Sequence, residues 1–159
     1  MKRFLMIAGA ILLVGSFVWI MVVDYQLDRN INGWKDRAQV SSEPNDMLQW
    51  ITKTKEGMEN WGMTSGYSEL IWQTPDNDMA LIYKTVVNHV NQAEVLTKMN
   101  RSTPEYQTGL DNLRGSIREL DLQTYGYWNI HQGFVIWIAG IIGLISLVIG
   151  VAWWYAENS

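Results

Sequence analysis

His131 is the residue in this chain with the widest chemical range. It stands three positions before a long uncharged apolar run, and Asp24 stands directly after another such run. Asp24 and Asp28 share one face of a helix at the i, i+4 spacing. If both apolar runs cross a bilayer side by side, a rise of about 1.5 Å per residue brings Asp24 and His131 to nearly the same depth. Imidazole and carboxylate together can ligate a metal, hold a cofactor or relay a proton. His131, Asp24 and Asp28 are therefore the candidate metal or cofactor site, at the outer membrane interface. The plainer reading is a hydrogen-bonded pair that fixes the register of two helices. Apart from a metal at His131, no cofactor is expected.

The second histidine, His89, lies beside an apolar helical stripe and reads as a core or boundary residue. A bis-histidine haem with His131 is geometrically poor. Along antiparallel helices, His89 would stand about 17 Å from the shared loop and His131 about 45 Å from it. Eight methionines offer soft thioether ligands for copper(I). Met47, Met58 and Met79 fall on core stripes, however, where methionine serves as filler. Nine tryptophans are many for this length. Trp19, Trp128 and Trp137 fit an outer interfacial belt, and Trp153 and Trp154 an inner one. Trp50, Trp61 and Trp72, with Trp34, are either core or a surface for a partner or ligand. Asn100-Arg101-Ser102 is a glycosylation sequon, usable only where that machinery exists.

No G-x-S-x-G, P-loop, G-x-G-x-x-G, H-E-x-x-H or C-x-x-C motif occurs. Glu119 and Asp121 stand two apart and do not face each other on a helix. The chain is not expected to be an enzyme.

The elements that must carry these residues follow from apolar patterning. Phe4 to Val23 gives about 20 uncharged residues and Phe134 to Tyr155 about 22, each enough for a hydrocarbon layer of roughly 30 Å. The first run has the basic start of a signal peptide, but it is long and lacks a small-x-small cleavage site, so a retained anchor is expected. Met1-Lys2-Arg3 puts the N-terminus in the cytoplasm by the positive-inside rule. With two spans, residues 156–159 return to that side, and residues 24–133 face outward. Both tails are too short for a signalling domain. In the second span Ala139, Gly143, Ser146 and Gly150 make a small-residue stripe. In the first, Ala8 with Gly15, and Gly9 with Ser16, repeat at seven. Such faces let helices approach closely where lipid supplies little apolar drive.

The middle of the chain holds about 10 basic and 15 acidic side chains, which disfavours nucleic acid and anionic lipid as partners for its surface. The absence of cysteine removes disulfides and thiolate chemistry. Leu27, Ile31, Trp34 and Ala38 continue the first helix outward. Pro44, Pro75 and Pro104 each stand at a helix start. Their stripes are Met47-Ile51-Thr54-Met58-Trp61, then Met79-Ile82-Val86-Val90 (or His89)-Ala93-Leu96, then Tyr106-Leu110-Leu113-Ile117-Leu120-Thr124-Tyr127-His131. The last predicts one helix running unbroken from Thr103 into the second span, with weak points at Gly126 and Gly133. Tyr67 to Trp72 reads as one or two helical turns across the bundle.

The fold expected is all-α: two transmembrane helices extending into an extracytoplasmic bundle of about four helices. The layout is similar to the periplasmic sensor bundles of chemoreceptors, which also sit between two spans. The expected role is a non-enzymatic accessory or assembly subunit of a membrane complex, with other membrane subunits or copies of itself as partners. A sensor-like small-molecule module is the alternative, and a metal or cofactor site around His131 the third.

Overall fold

A computed structural model describes the backbone of residues 2–158 and the side chains of residues 3–157. Met1, Ser159 and the side chains of Lys2 and Asn158, parts of the expected tails, lie outside what is described. Helix makes up 81% of the chain, and no strand forms among the described residues. The elements in order are α1 (Lys2–Leu27), α2 (Gly33–Val40), α3 (Pro44–Asn60), α4 (Met79–Lys98), α5 (Pro104–Glu119), α6 (Thr124–His131) and α7 (Phe134–Asn158). A π-helical turn, Asp28–Asn32, joins α1 to α2, and a 3-10 turn, Pro75–Asn77, precedes α4. The chain divides into two compact units, Met1–Tyr25 with Asn129–Ser159, and Gln26–Trp128.

In the unit Gln26–Trp128, four helices close a ring. α2 packs on α3, α3 on α4, α4 on α5, and α5 on α2. The stripes face inward as their spacing dictates. Met47, Ile51, Thr54 and Met58 of α3, Met79, Ile82, Val86, His89, Ala93 and Leu96 of α4, and Tyr106, Leu110, Leu113 and Ile117 of α5 are all buried. Ile31 and Ala38 close the fourth side. Helix starts use the chemistry that the sequence offers. Asp78 accepts the Ala80 N–H at 2.9 Å, and Thr103 accepts that of Tyr106 at 3.3 Å. Pro44 and Pro104 open α3 and α5. Polar ties then link neighbours: Arg114 Nε donates to the Ser41 carbonyl at 2.8 Å, and Arg101 pairs with Glu43 at 2.9 Å.

Two expectations need correction. The stripe from Tyr106 to His131 is not one helix. α5 ends at Glu119, four residues run non-helical, and α6 starts at Thr124. Asp121 takes the Gln123 N–H onto its carboxylate at 3.1 Å, which competes with the helical ladder. Gln123 adopts a left-handed φ of 50. Lys35 Nζ satisfies the freed Leu120 carbonyl at 3.2 Å, Leu122 is buried within the break, and Thr124 and Tyr127 beyond it are buried as well. The second correction concerns Tyr67 to Trp72, which forms no helical turn. Gly62 and Gly66 take left-handed φ values of 71 and 87, and the segment leaves the bundle as a loop closed by a bridge between Tyr67 and Asp78.

Candidate functional site

Three places gather residues of functional chemistry, and each is built from one unit.

In the unit Met1–Tyr25 with Asn129–Ser159, α1 and α7 pack antiparallel around glycine. A Cβ added at Gly9 would stand 2.7 Å from the Gly143 carbonyl oxygen and 2.7 Å from the Leu147 nitrogen. One added at Gly143 would stand 2.8 Å from the Leu13 nitrogen. No side chain fits there, so the two backbones meet. Farther along, a Cβ at Gly140 would lie 3.5 Å from Ser16 Cβ. Ala8, Ala139 and Ser146 are half-buried and Gly150 is buried, whereas a Cβ at Gly15 would meet nothing within 4 Å. Away from this contact both helices present apolar side chains outward, among them Ile7, Ile11 and Phe17 on α1 and Ile138, Ile141 and Ile145 on α7. Both are long and apolar enough to cross a membrane. Trp19, Trp137, Trp153 and Trp154 are exposed, and Trp137 donates its indole N–H to Asn129. Trp128, expected in the outer belt, is buried beside the Tyr125 ring.

In the unit Gln26–Trp128, the π-helical turn and the second half of α3 form a cleft of about 420 Å³, lined by Asn30, Trp34, Lys53, Glu56, Asn60 and Trp61. The turn is held by a bond from the Gly33 N–H back to the Asp28 carbonyl. It crosses α3 so closely that a Cβ at Gly57 would collide with the Asn30 carbonyl oxygen. Trp34 stacks on Trp50 at 5.3 Å with planes 3° apart, and Arg37 and Lys53 hold their cations 4.7 and 4.5 Å from the Trp34 ring centre. The aromatic wall is thus fixed by stacking and cation–π attraction. On the neighbouring surface Tyr83 donates to Glu59 at 2.5 Å, and Lys55 pairs with Glu59 at 3.0 Å. The Tyr83 hydrogen bond and the Lys55 ammonium lower the Glu59 pKa, and the same hydrogen bond raises that of Tyr83.

The third place is the tip of the loop between α3 and α4, where Leu70, Ile71 and Trp72 are 73%, 74% and 74% exposed. Trp50 and Trp61, singled out with Trp72 in the sequence, are half-buried; Trp61 lines the cleft, and Trp50 stacks on the Trp34 that lines it.

Of the candidate metal site, Asp24 lies on α1, Asp28 opens the π-helical turn and His131 ends α6; all three are exposed. Among the described residues no group of three or more His, Cys, Asp or Glu could hold a metal ion. His89 is buried at 5% exposure in the bundle core, its Nδ1 has no hydrogen-bond partner, and burial lowers its pKa. Asn100 is exposed in the turn before α5, where its side chain accepts the Ser102 N–H at 3.0 Å. Nothing in the residue order signals the loop tip's exposure or the Gly57 contact. Both depend on backbone paths that no local pattern encodes. Comparison with protein-family models, with curated proteins and with solved structures finds no match.

Proposed function

We propose that this protein is a two-span membrane subunit that carries a four-helix domain outside the membrane and serves assembly rather than catalysis. The observation that carries this reading is the antiparallel pair α1 and α7. The two backbones touch at Gly9 and Gly143, and the remaining faces are apolar and exposed. Water would oppose such faces at about 25 cal/mol per Å², so lipid or further helices must cover them. Gly15, open on its Cβ side, leaves α1 a second place for close helix approach. Lys2 and Arg3 stand directly before the first span, and the positive-inside rule assigns that side to the cytoplasm. The four-helix domain then faces outward. The partners are other membrane subunits or further copies of the chain.

Alkaline carbonate washing of membranes tests the spans: the protein should stay with the lipid. Native mass spectrometry from mild detergent tests the assembly role. A larger complex or homo-oligomer is expected, and a lone monomer would defeat that role while leaving the spans intact.

The cleft beside Trp34 favours a second reading, a small-molecule-binding module. Amides, one cation, one anion and indole surfaces converge there on about 420 Å³, within the range of small-ligand sites. A thermal shift on addition of a small polar ligand, abolished by Asn60→Leu, supports it. Screening without any shift removes it.

A further inference from the structure

From the loop between α3 and α4 we infer that Leu70, Ile71 and Trp72 form a lipid-surface anchor, a tip that dips into the headgroup region of the bilayer the chain crosses. The inference rests on the membrane reading above.

The tip is built to stay exposed. Asn77, buried, donates from Nδ2 to the Trp72 carbonyl at 2.6 Å and accepts the Thr74 N–H at 2.9 Å. The Ser68 N–H reaches the Asn77 carbonyl, and the Met79 N–H the Gly66 carbonyl, each at 2.9 Å. Met63, Ser68 and Met79 are buried beneath. This frame ties the backbone on both sides of the three residues and holds them exposed. Three consecutive large apolar side chains held in water are costly unless something covers them.

Area and chemistry decide what covers them. Together they present on the order of 400 Å², about half of the roughly 800 Å² that each partner buries in a standard protein interface. A lipid surface needs no complementary shape and accepts a small wedge. Tryptophan favours the headgroup level, with leucine and isoleucine just below it. Glu69, Asp76 and Asp78 flank the tip, so the attraction is apolar and suits zwitterionic lipid rather than an anionic surface. The frame also rests on the helix that leads to the second span. Tyr127 donates its hydroxyl to the Gly62 carbonyl at 2.7 Å, and a Cβ at Gly126 would stand 3.0 Å from the Ser68 carbonyl oxygen.

The chain has no cysteine, so single labels can be placed at will. The full chain in phosphatidylcholine vesicles would carry an environment-sensitive fluorophore at Ile71→Cys, at Val95→Cys on the exposed side of α4, or at Ile141→Cys in α7. All three side chains are exposed, and retained helical circular dichroism confirms folding. Brominated lipid should quench the Ile71 label several-fold more than the Val95 label, and aqueous iodide several-fold less. Adding Leu70→Ser and Trp72→Ser should bring the Ile71 label to the Val95 level. If Ile71 behaves like Val95 while Ile141 is quenched by lipid, the anchor is refuted and the spans stand. If Ile141 is also open to iodide, the membrane reading fails and the anchor with it. An Ile71 label shielded from both quenchers means that protein covers the tip, which overturns the lipid assignment.

Discussion

His89 shows what one buried side chain does to the pH range of a helical bundle. Its imidazole lies in the core, one nitrogen lacks a partner, and desolvation lowers its pKa. The unfolded chain takes up a proton near pH 6.5, where the native core does not. Stability therefore rises with pH through the window below about 6.5 and is lost as pH falls through it. The melting temperature near pH 5 should lie below that near pH 7.5, and His89→Leu should shrink the difference. An unchanged difference would assign the acid sensitivity elsewhere. Gly57 makes a steric case. A methyl group there meets the Asn30 carbonyl oxygen and stands 3.0 Å from Ile31 Cγ1. Gly57→Ala should cost about 1–3 kcal/mol in denaturant unfolding and should disturb the cleft. Gln123 holds a left-handed backbone; Gln123→Val should cost about 1–2 kcal/mol, whereas Gln123→Gly should be close to neutral.

Among the elements, the α1–α7 pair separates two kinds of glycine. At Gly9 and Gly143 any side chain strikes backbone. Gly143→Leu should force the helices apart and lower the thermal stability of the detergent-solubilised protein. At Gly15 a side chain meets only open space within the chain. Gly15→Leu should leave the helix pair intact, and if α1 binds a further helix there, native mass spectrometry should show loss of the complex. A Gly15→Leu protein that keeps its complex would place the contact elsewhere. The α5–α6 break is the other lesson at this scale. The heptad spacing runs from Tyr106 to Tyr127 without a fault, yet Asp121 and Gln123 form a local turn that interrupts it. Side-chain spacing reports which face is apolar, and it is blind to a backbone that leaves the helix and returns in step.

For the molecule as a whole, the two long apolar helices and the acidic middle set different conditions. The unit Gln26–Trp128 is held by core packing and short polar ties such as Arg114 to Ser41. Exposed pairs such as Lys98–Glu94 contribute little, because water and salt screen them. Raising salt to about 1 M should therefore change the melting temperature of the domain by only a few degrees. A collapse of stability in salt would mean that charge contacts dominate.

Residue order alone determined the helical class, the two lipid-length runs, the starts at Pro44 and Pro104, and the inward faces of α3, α4 and α5. These follow from period, from proline's fixed φ and from hydrophobicity, all of which act within a few residues. Tertiary structure decided the rest: that Gly9 and not Gly15 meets α7, that Trp34 and Trp50 stack, that Gly57 admits the π-helical turn, and that Leu70, Ile71 and Trp72 stand in the open. Each of these depends on which distant segment comes to lie opposite, and side-chain type alone does not carry that information.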